Sequence, residues 1–507
     1  MPQDNFNRID AIVSLSGADM GEVMEQVLDA LWDRDPEVRR AAVSVLACSF
    51  DDAHGHLLLS MLDDEDLDLV RTAAYFLLNV EDEDLRLKAI RLLRWRREGL
   101  LVPVFLKALR NELAFIGREA AGALVDLQDP QVILPLLELL AEPEPGCNAL
   151  ENAELVLSSL QAPLLVEALN SLLGDTVAGG RAARILGKRS DLQSRDALLD
   201  TLNNGGGQAR IHAMRGISIN RDHRALKPLF SFLQGEDPSL RAGAIFAAES
   251  ILHCGTFRFR GGRLGTEEVS ALMQTAHDED LHVRSSALAV LGLLHAGEAV
   301  PILLKALTDP SSYVVVVAAQ ALAGMGCIKA VVPLLNLLDS HHGQMTVSFI
   351  QCLGNLGDAA AEEKLRLYLD DEDWDVRVEA ARSLYRLGAV DVWNRLVQAL
   401  GEAEQDQFYT RVEVAETIAD SNDPRAVEVL LDTLKMLTLE HPSDNRLLVS
   451  LISLLGKMGD PRALEPIGKW WNYHYDESDD WDRVTLSGLK RTIVKALQRL
   501  KRASCKK

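Results

Sequence analysis

The sequence predicts an all-α protein that folds as an α-solenoid of about fourteen stacked helical pairs. Three observations carry this prediction. The apolar fraction of 48% contains few aromatic residues, 5% of the chain, and consists mainly of Leu, Ala, Val and Ile, a mixture that favours helices. Proline recurs at two fixed places of a helical pattern, and a triplet of Arg, Ala and Leu recurs with it. A repeat of roughly thirty residues that contains two helices is typical of a solenoid.

The prolines mark where the two helices of each unit begin. One set follows aspartate before an apolar periodic run, where Asp caps the helix and Pro needs no amide donor. The other set lies a few residues inside the other helix of the unit, where a recurring first turn or kink tolerates proline. Together they account for thirteen of the seventeen prolines: Pro36, Pro130, Pro238, Pro310, Pro424 and Pro461 in the first set, and Pro103, Pro135, Pro163, Pro228, Pro301, Pro333 and Pro466 in the second.

The second helix of each unit has its own signature. Arg39, Ala42 and Leu46 are separated by three and four residues, so they share one helical face, and the alanine lets a neighbouring helix approach closely. Two segments depart from the pattern. One of residues 314–317, all valine, takes the place of the arginine, and residues 85–97 resemble a second helix without its first. The signature recurs from Arg71, Arg284 and Arg377, and more loosely from Arg118, Arg210, Arg241 and Arg411.

Four segments make the repeat recognisable: DPRAVEVLLDTL (423–434), DPRALEPIGKW (460–470), EAVPILLKALTDP (298–310) and DEDWDVRVEAARSLYRLG (371–388). They resemble HEAT repeats of the short kind found in phycobilisome lyases, and the resemblance extends from about residue 20 to about residue 500. It implies the solenoid fold. It says little about activity, because scaffolds, adaptors, chromophore lyases and nucleic-acid enzymes all use such repeats.

We expect five segments along the chain. They are an N-terminal segment (1–19), HEAT-like repeats (20–252), an inserted Gly/Arg-rich loop (253–265), further repeats (266–480) and a basic C-terminal helix and tail (481–507). The last segment holds nine basic residues and one acid in a chain of net charge −22. An exposed solenoid end needs a polar outer face, so this helix is expected to cap the array. An anionic partner, a membrane surface or self-association would be its other uses.

The acidic residues are grouped in short runs that mostly precede the arginine helix, at residues 63–68, 81–84, 278–280 and 370–373. Single acids there are expected to cap helix starts and complement the helix dipole. Stacked along one edge of a solenoid, they would also form an acidic ridge. Such a ridge repels nucleic acid and steers a basic partner.

No catalytic motif is present. The sequence has no P-loop, G-x-S-x-G or dinucleotide fingerprint, no His-Glu pair and no C-x-x-C among its six cysteines. We therefore predict no enzyme activity, no cofactor and no metal site. The start of the chain lacks a secretory signal, and the uncharged run at residues 310–328 fits the helical repeat better than a membrane span. The expected location is the cytoplasm.

The inserted loop is the first candidate binding site. Arg241 and Arg284 are 43 residues apart, about a dozen more than the usual repeat. The extra segment is too rich in glycine to extend a helix, so it is expected to form a loop on one edge of the array. It either grips a carboxylate-rich or phosphorylated partner or packs over the seam with its arginines against the acidic ridge. The residues concerned are Phe257, Arg258, Phe259, Arg260 and Arg263.

The second candidate is the stretch WWNYHYDESDDWD at residues 470–482, which holds three of the seven tryptophans and two of the seven tyrosines. Trp470 and Trp471 would seal the core where the array ends. Alternatively, aromatic anchors among acids would bind a basic, partly apolar peptide. In that interpretation the contact residues are Tyr473, Tyr475 and Trp481.

The sequence thus favours a non-catalytic scaffold or adaptor that binds protein partners, one of them with a basic surface or peptide. Self-association is open, a membrane span is not expected, and nucleic acid is disfavoured by the acidic charge. The alternatives are a nucleic-acid-binding or repair-type HEAT-like protein and, less favoured, an enzyme resembling the chromophore lyases.

Overall fold

A computed structural model describes residues 2–14, 20–48, 55–253, 266–340, 343–402, 408–421, 423–437, 442–471 and 483–504. Throughout these residues the regular structure is helical and no strand occurs. The chain divides into two compact units, residues 1–271 and residues 272–507, which we call unit 1 and unit 2. Each unit is an α-solenoid, as the sequence predicts.

The first sixteen helices belong to unit 1. Their bounds are α1 Pro2–Ser14, α2 Met20–Leu31, α3 Pro36–Cys48, α4 Gly55–Ser60, α5 Leu67–Leu77, α6 Glu83–Arg96, α7 Val102–Leu109, α8 Ala114–Leu127, α9 Ile133–Ala141, α10 Cys147–Ser159, α11 Leu165–Ser171, α12 Ala178–Lys188, α13 Leu192–Asn204, α14 Gly207–Asn220, α15 Leu226–Ser231 and α16 Pro238–Leu252.

The next helix contains the boundary between the units, and the remaining thirteen belong to unit 2. Their bounds are α17 Thr266–Thr275, α18 Leu281–Leu293, α19 Val300–Ala306, α20 Ser312–Gly324, α21 Val331–Leu338, α22 Gln344–Leu356, α23 Glu362–Arg366, α24 Trp374–Arg386, α25 Trp393–Glu402, α26 Phe408–Asp420, α27 Ala426–Met436, α28 Pro442–Met458, α29 Leu464–Trp471 and α30 Arg483–Ser504.

Two kinds of helix alternate along the chain. We call the first helix of a pair A and the second B. Fourteen such pairs occur in the described ranges, from α2 and α3 to α29 and α30, in agreement with the prediction. Helix α6 is a B helix without its A partner, again as predicted, and it packs between α5 and α8. Helix α1 packs on α3 in the way that one B helix packs on the next.

The helix starts follow the proline pattern. Pro36 and Pro238 are the first residues of B helices. Asp129 caps the one-turn 3₁₀ helix that begins at Pro130 and leads into the A helix α9. The Asp-Pro pair at residue 309 is different, because α20 begins only at Ser312 and Asp309 accepts a hydrogen bond from the Ser311 amide at 2.9 Å.

The signature arginine has a structural function within its own pair. Nη1 of Arg39 donates to the Asp33 carbonyl at 2.9 Å, and Nη1 of Arg284 donates to the Asp278 carbonyl at 2.8 Å. These carbonyls belong to the turn that follows the A helix, which ends at Leu31 in one pair and at Thr275 in the other. The arginine therefore locks the turn between A and B. In α20 the signature position is residue 315, and a buried valine stands there instead of arginine.

Two expected members of the signature are wrong. In α8 the equivalent position is the buried Gly117, and Arg118 is exposed. In α5 the position equivalent to Arg39 is Val70, which is buried, and Arg71 points outward to pair with Asp68 at 2.8 Å. The missing bonds come from the unpaired helix that follows: Nη1 of Arg96 donates to the carbonyls of residues 62 and 64 at 2.8 and 2.9 Å. Helix α6 thereby completes the turn of the pair before it.

The acidic runs cap helices, as expected. Asp66, Asp82, Asp280 and Asp373 each accept hydrogen bonds from backbone amides at the start of a B helix. Other members of the runs meet arginines from the preceding repeat, as in the 2.8 Å bond from Nε of Arg39 to an adjacent carboxylate at residue 64. Local capping and these ion pairs therefore compensate part of the acidic charge.

Close contacts between small residues join several pairs of successive B helices. The residue eight places after the signature position meets the residue six places after it in the next B helix. A Cβ built on Gly354 of α22 would lie 2.4 Å from Oγ of Ser383 in α24, and one on Gly292 of α18 would lie 2.6 Å from Cβ of Ala321 in α20. Only a missing side chain permits this approach, so the seams are closely packed.

No helix in the described part of the chain has the length and apolar character that crossing a bilayer requires. The uncharged run at residues 310–328 contains α20, whose thirteen residues pack against α18 and α22.

A candidate polar cleft between α24 and α26

Both sites proposed from the sequence lie outside the described residues. Phe257, Arg258, Phe259, Arg260 and Arg263 fall in the undescribed range 254–265, and Tyr473, Tyr475 and Trp481 fall in the range 472–482. Their roles stay predictions. Of the neighbouring tryptophans, Trp470 lies in α29 and packs, partly buried, against the apolar core of unit 2.

The described part of unit 2 contains a different candidate site, a cleft between α24 and α26. In six B helices of unit 2, five of the residues eight places after the signature position are glycine or alanine, and one is a tyrosine. From α18 to α28 they are Gly292, Ala323, Gly354, Tyr385, Ala419 and Gly456. The tyrosine is Tyr385, which faces the cleft together with Thr417, the residue six places after the signature in α26. Two side chains of this size prevent the close seam found between α18 and α20 and between α22 and α24. The resulting cavity has a volume of about 320 Å³.

Tyr385 is held in place from the side of the A helix. Its ring lies 5.7 Å from the ring of Trp393, centroid to centroid, in a tilted arrangement favourable for aromatic pairs. The guanidinium of Arg425 lies 4.7 Å from the centroid of the same tryptophan ring. The tyrosine is therefore a fixed wall of the cleft.

A buried ion cluster forms the floor. Arg382 and Glu379 of α24 have side chains only 4% and 3% exposed, and the arginine donates through Nη1 to the carboxylates of Glu379 and Glu413. Its Nε donates to Oγ1 of Thr417 in α26 at 3.2 Å. Buried charges are tolerated only when paired and hydrogen-bonded, so the cluster ties the two helices across the open seam.

Burial dominates the protonation behaviour of the cluster. It raises the pKa of the Glu379 carboxyl even though Arg382 stabilises the charged form. Burial and the repulsion of Arg382 lower the pKa of Arg386. The Cys352 thiol below the cluster has its pKa raised to about 12 by burial and by the charge of Glu379, so it is not a reactive thiolate.

The two walls of the cleft carry opposite charge. The α24 wall presents Arg386, whose Nη1 donates to Oδ1 of Asn355 at 3.2 Å. The α26 wall presents Glu413, Glu416 and Asp420. Glu413 is compensated by the buried arginine, whereas the exposed carboxylates of Glu416 and Asp420 make no hydrogen bond or ion pair with any described residue. The cleft therefore offers two uncompensated negative charges beside a fixed aromatic wall.

Sequence reasoning missed this site, although a signal was present. In the segment EAARSLYRLG, residues 379–388, a tyrosine stands where neighbouring repeats have Gly or Ala. The pair Arg382 and Arg386 on α24 also matches the pair Glu416 and Asp420 on α26 at the same two positions of the repeat. An alignment of the B helices would have revealed both features.

No group of His, Cys, Asp and Glu side chains within the described ranges could hold a metal ion. The arrangement of the cleft is suited to ionic binding through its side chains.

Comparison with known proteins agrees with the fold of repeated helical pairs. A family model of HEAT repeats matches residues 267–346 and 331–407, which include α24, and a model of the PBS lyase HEAT-like repeat matches residues 117–142. The chain therefore contains HEAT repeats over these ranges, one of them of the PBS-lyase-like type. The matched range of the HEAT model contains the arginine wall and ends before α26.

Two relatives share part of this HEAT-repeat chain. The bilin biosynthesis protein PecE of Nostoc sp. is 30% identical over 166 residues, which are 31% of this chain and 64% of PecE, less than two thirds of that protein. The uncharacterized phycocyanin operon protein Z of Pseudanabaena tenuis is 26% identical over 196 residues, which are 37% of this chain and 91% of that protein.

Among solved structures, the karyopherin Kap121p bound to the extreme C-terminus of the protein phosphatase Cdc14p aligns with 96% of this chain and 62% of its own, with a TM-score of 0.51 and 15% identity. At this identity the likeness shows the fold alone.

Proposed function

We propose that this HEAT-repeat protein is a scaffold or adaptor, and that the cleft between α24 and α26 receives a basic side chain of a protein partner. The observation that carries the proposal is the open, tyrosine-walled seam with two uncompensated carboxylates on one side. Repeats of this kind offer long surfaces to partners. The cleft lacks the close packing seen between α18 and α20 and between α22 and α24.

The acidic wall supports a cationic occupant. Glu413, Glu416 and Asp420 follow each other at intervals of three and four residues, so they share one face of α26. Like charges at these spacings destabilise a helix by about 0.2–0.5 kcal/mol per pair. A lysine or arginine inserted between Glu416 and Asp420 would remove that repulsion, and its stem would lie along the ring of Tyr385.

The dimensions suit one side chain or a short peptide segment. The volume of about 320 Å³ lies at the small end of the range in which pockets enclose ligands. The cleft lies at one seam, so the remaining B helices would supply the rest of a protein interface. A standard interface needs about 800 Å² from each partner.

The test compares partner binding by two charge-matched variants. Glu416→Gln combined with Asp420→Asn removes both charges and almost preserves shape. Glu298→Gln combined with Glu363→Gln removes two exposed charges elsewhere in unit 2 and serves as the control. Proteins captured by the wild-type chain are identified by mass spectrometry, and the affinity of each is then measured with both variants.

We expect the cleft variant to lose about tenfold or more in affinity for a captured partner. The control variant should retain wild-type affinity, and both should melt like the wild type. Equal affinity of the cleft variant and the wild type for every captured partner would contradict the cleft as a binding site.

A second candidate function is a lyase-like role in pigment chemistry, favoured by the likeness to the bilin biosynthesis protein PecE. Titration of the purified chain with a free bilin, followed by visible absorption, tests it. A saturable spectral change would support this function, and an unchanged spectrum would contradict it.

A further inference from the structure

A second charged face lies on the B helices of unit 1. Helices α10, α12, α14 and α16 pack side by side in that order. The signature position is residue 150, 179, 210 and 241 on these helices, and the residue five places after it points away from the core on all four. The two outer helices present apolar side chains there, and the two inner helices present cations. In chain order the exposed side chains five or nine places after it are Leu155, Arg184, Lys188, Arg215, Ile219 and Phe246.

The cations of this face are only partly neutralised. Glu154, 3% exposed, lies beneath it, and its carboxylate pairs with both Lys188 Nζ at 2.9 Å and Arg184 Nε at 3.3 Å. One carboxylate thus serves two cations whose side chains are about half exposed. Arg215 of α14 makes no side-chain hydrogen bond or ion pair with any described residue. Only one buried acid therefore lies beneath the three cations, and it pairs with two of them.

The arginine of α14 reaches over α12, the helix that carries the other two cations. Its Nη1 is 3.4 Å from the point where a Cβ on Gly180 of α12 would stand. A glycine at this place leaves room for the guanidinium to lie over α12. The positive charge is thereby concentrated on two neighbouring helices in a chain whose net charge is −22.

Apolar side chains flank the cations on both sides. Leu155 precedes them on α10, and Phe246, which is 58% exposed, follows them on α16. Ile219 is exposed beside Arg215. An exposed aromatic ring and two aliphatic side chains around a cationic centre offer both ionic and apolar contacts to one ligand.

We propose that this face binds an extended acidic segment of a protein partner, with apolar side chains on either side of its carboxylates. Neighbouring helices are spaced by ~10 Å, so the four helices span ~30 Å. An extended peptide covers that distance with about nine residues at ~3.3 Å each. The arginines would hold carboxylates through paired hydrogen bonds, and Phe246 and Leu155 would receive the flanking side chains.

Charge and composition favour a peptide over a nucleic acid. Nucleic-acid binding depends on neutralising many phosphates with Lys and Arg, and this face holds only three cations above a buried carboxylate. Its borders are apolar on both sides. The inference goes beyond the proposed function, because it assigns to unit 1 a partner of the opposite charge to the one proposed for unit 2.

The experiment uses the full-length chain and fluorescence anisotropy. The probe is a fluorescein-labelled peptide in which Asp and Glu alternate with Leu and Phe. Arg215→Glu reverses a charge that has no described partner, so it leaves the buried carboxylate untouched. We expect it to weaken peptide binding about tenfold or more, and Phe246→Ser to weaken it several fold.

Lys457→Glu is the matched control. Lys457 is exposed and holds in α28 of unit 2 the position that Lys188 holds in α12, and its replacement changes the net charge by the same amount. We expect wild-type binding from this control and from Glu416→Gln combined with Asp420→Asn. That outcome separates this proposal from the one for the cleft, which those two carboxylates test.

Three results would overturn the proposal. Two of them are the absence of peptide binding at low ionic strength and peptide binding that is undiminished in Arg215→Glu. The other is a single-stranded oligonucleotide of equal net charge that binds more tightly than the peptide and loses affinity in Arg215→Glu, which would make the face a nucleic-acid site. Arg215→Gln replaces the glutamate variant if the latter melts below the wild type.

Discussion

Five places after the signature position, the B helices of the two units carry different side chains. In α10, α12, α14 and α16 of unit 1 they are a leucine, two arginines and a phenylalanine, and all four are exposed. In unit 2 the corresponding position holds Ala, Gln, Gln, Arg, Glu and Ser from α18 to α28, and the arginine is buried beneath the cleft. The residues are Leu155, Arg184, Arg215 and Phe246 in unit 1, and Ala289, Gln320, Gln351, Arg382, Glu416 and Ser453 in unit 2.

The contrast shows which parts of the repeat are constrained. The signature arginine, the capping aspartate and the small residues of the seam repeat because backbone groups and close packing require them. The side chain five places after the signature position neither caps a helix nor packs in a seam in most repeats, so different residue types are tolerated there. Two of its arginines, Arg215 and Arg382, occupy the same place in the pattern and have opposite surroundings.

The largest expected effect tests that pair directly. Arg382→Ala removes the counter-charge of the buried Glu379 and should cost ~3–5 kcal/mol of unfolding free energy at neutral pH. Arg215→Ala, at the same position of α14, should change it by less than ~0.5 kcal/mol because the side chain is exposed. Urea unfolding followed by circular dichroism measures both.

Replacement of the whole buried pair provides the control for this prediction. Arg382→Met combined with Glu379→Leu leaves no unpaired charge, so it should destabilise much less than Arg382→Ala alone. Equal losses from Arg382→Ala and Arg215→Ala would mean that burial does not distinguish the two arginines.

A smaller effect is expected at the seams. Gly354→Val would force a side chain against Ser383 and should cost ~1–3 kcal/mol through overpacking. Gly324→Val, at the end of α20, meets nothing within 4 Å at its Cβ and should be nearly neutral. Thermal unfolding of the two variants measures the difference. Similar melting of both would refute the idea that small residues keep the seams of unit 2 closed.

Local patterns made most of the fold predictable from the sequence. Capping aspartates, prolines and apolar spacing act within one helix or one turn, so the number of pairs and the lone helix α6 could be read directly. The register failed at Arg71, because Ala73 and Ala74 are both buried and the triplet fits equally well one residue later. Only the N-cap at Asp66 fixes the register, because it places Val70 at the position that Arg39 occupies in α3.

The candidate cleft was much harder to predict. It depends on which residue of one B helix faces which residue of the next, a contact between repeats about thirty residues apart. The role of Tyr385 can be recognised only once its place in the seam is known. In the sequence, the buried Glu379 resembles any acid on a helix surface. Charge patterns in the sequence indicated capping and a ridge, and they did not reveal a carboxylate buried with an arginine.

The smallest expected effect contrasts the acid responses of two carboxylates, one in each unit. Burial alone would raise the pKa of Asp64 in unit 1, but the guanidinium of Arg39 and the amide of Asp66 bring it below its usual range. Its contribution to stability is therefore present above the ordinary aspartate pKa and is lost as the pH falls through the lowered value.

Glu379 in unit 2 should show the opposite sign. Its pKa is raised by burial, so the folded state binds the proton more tightly than the unfolded state does. Stability near α24 is then greatest below the ordinary glutamate pKa of about 4.3 and decreases as the pH rises through the raised value. Hydrogen exchange of peptides from α5 and α24, corrected for the intrinsic rate, measures the two responses. Glu379→Gln should abolish the decrease in stability at α24 as the pH rises and leave α5 unchanged. Asp64→Asn should abolish the loss of stability at α5 as the pH falls and leave α24 unchanged. Parallel responses of the two helices to pH would show that the ion pair of unit 1 and the buried cluster of unit 2 are equivalent, and the comparison between the units would lose its electrostatic basis.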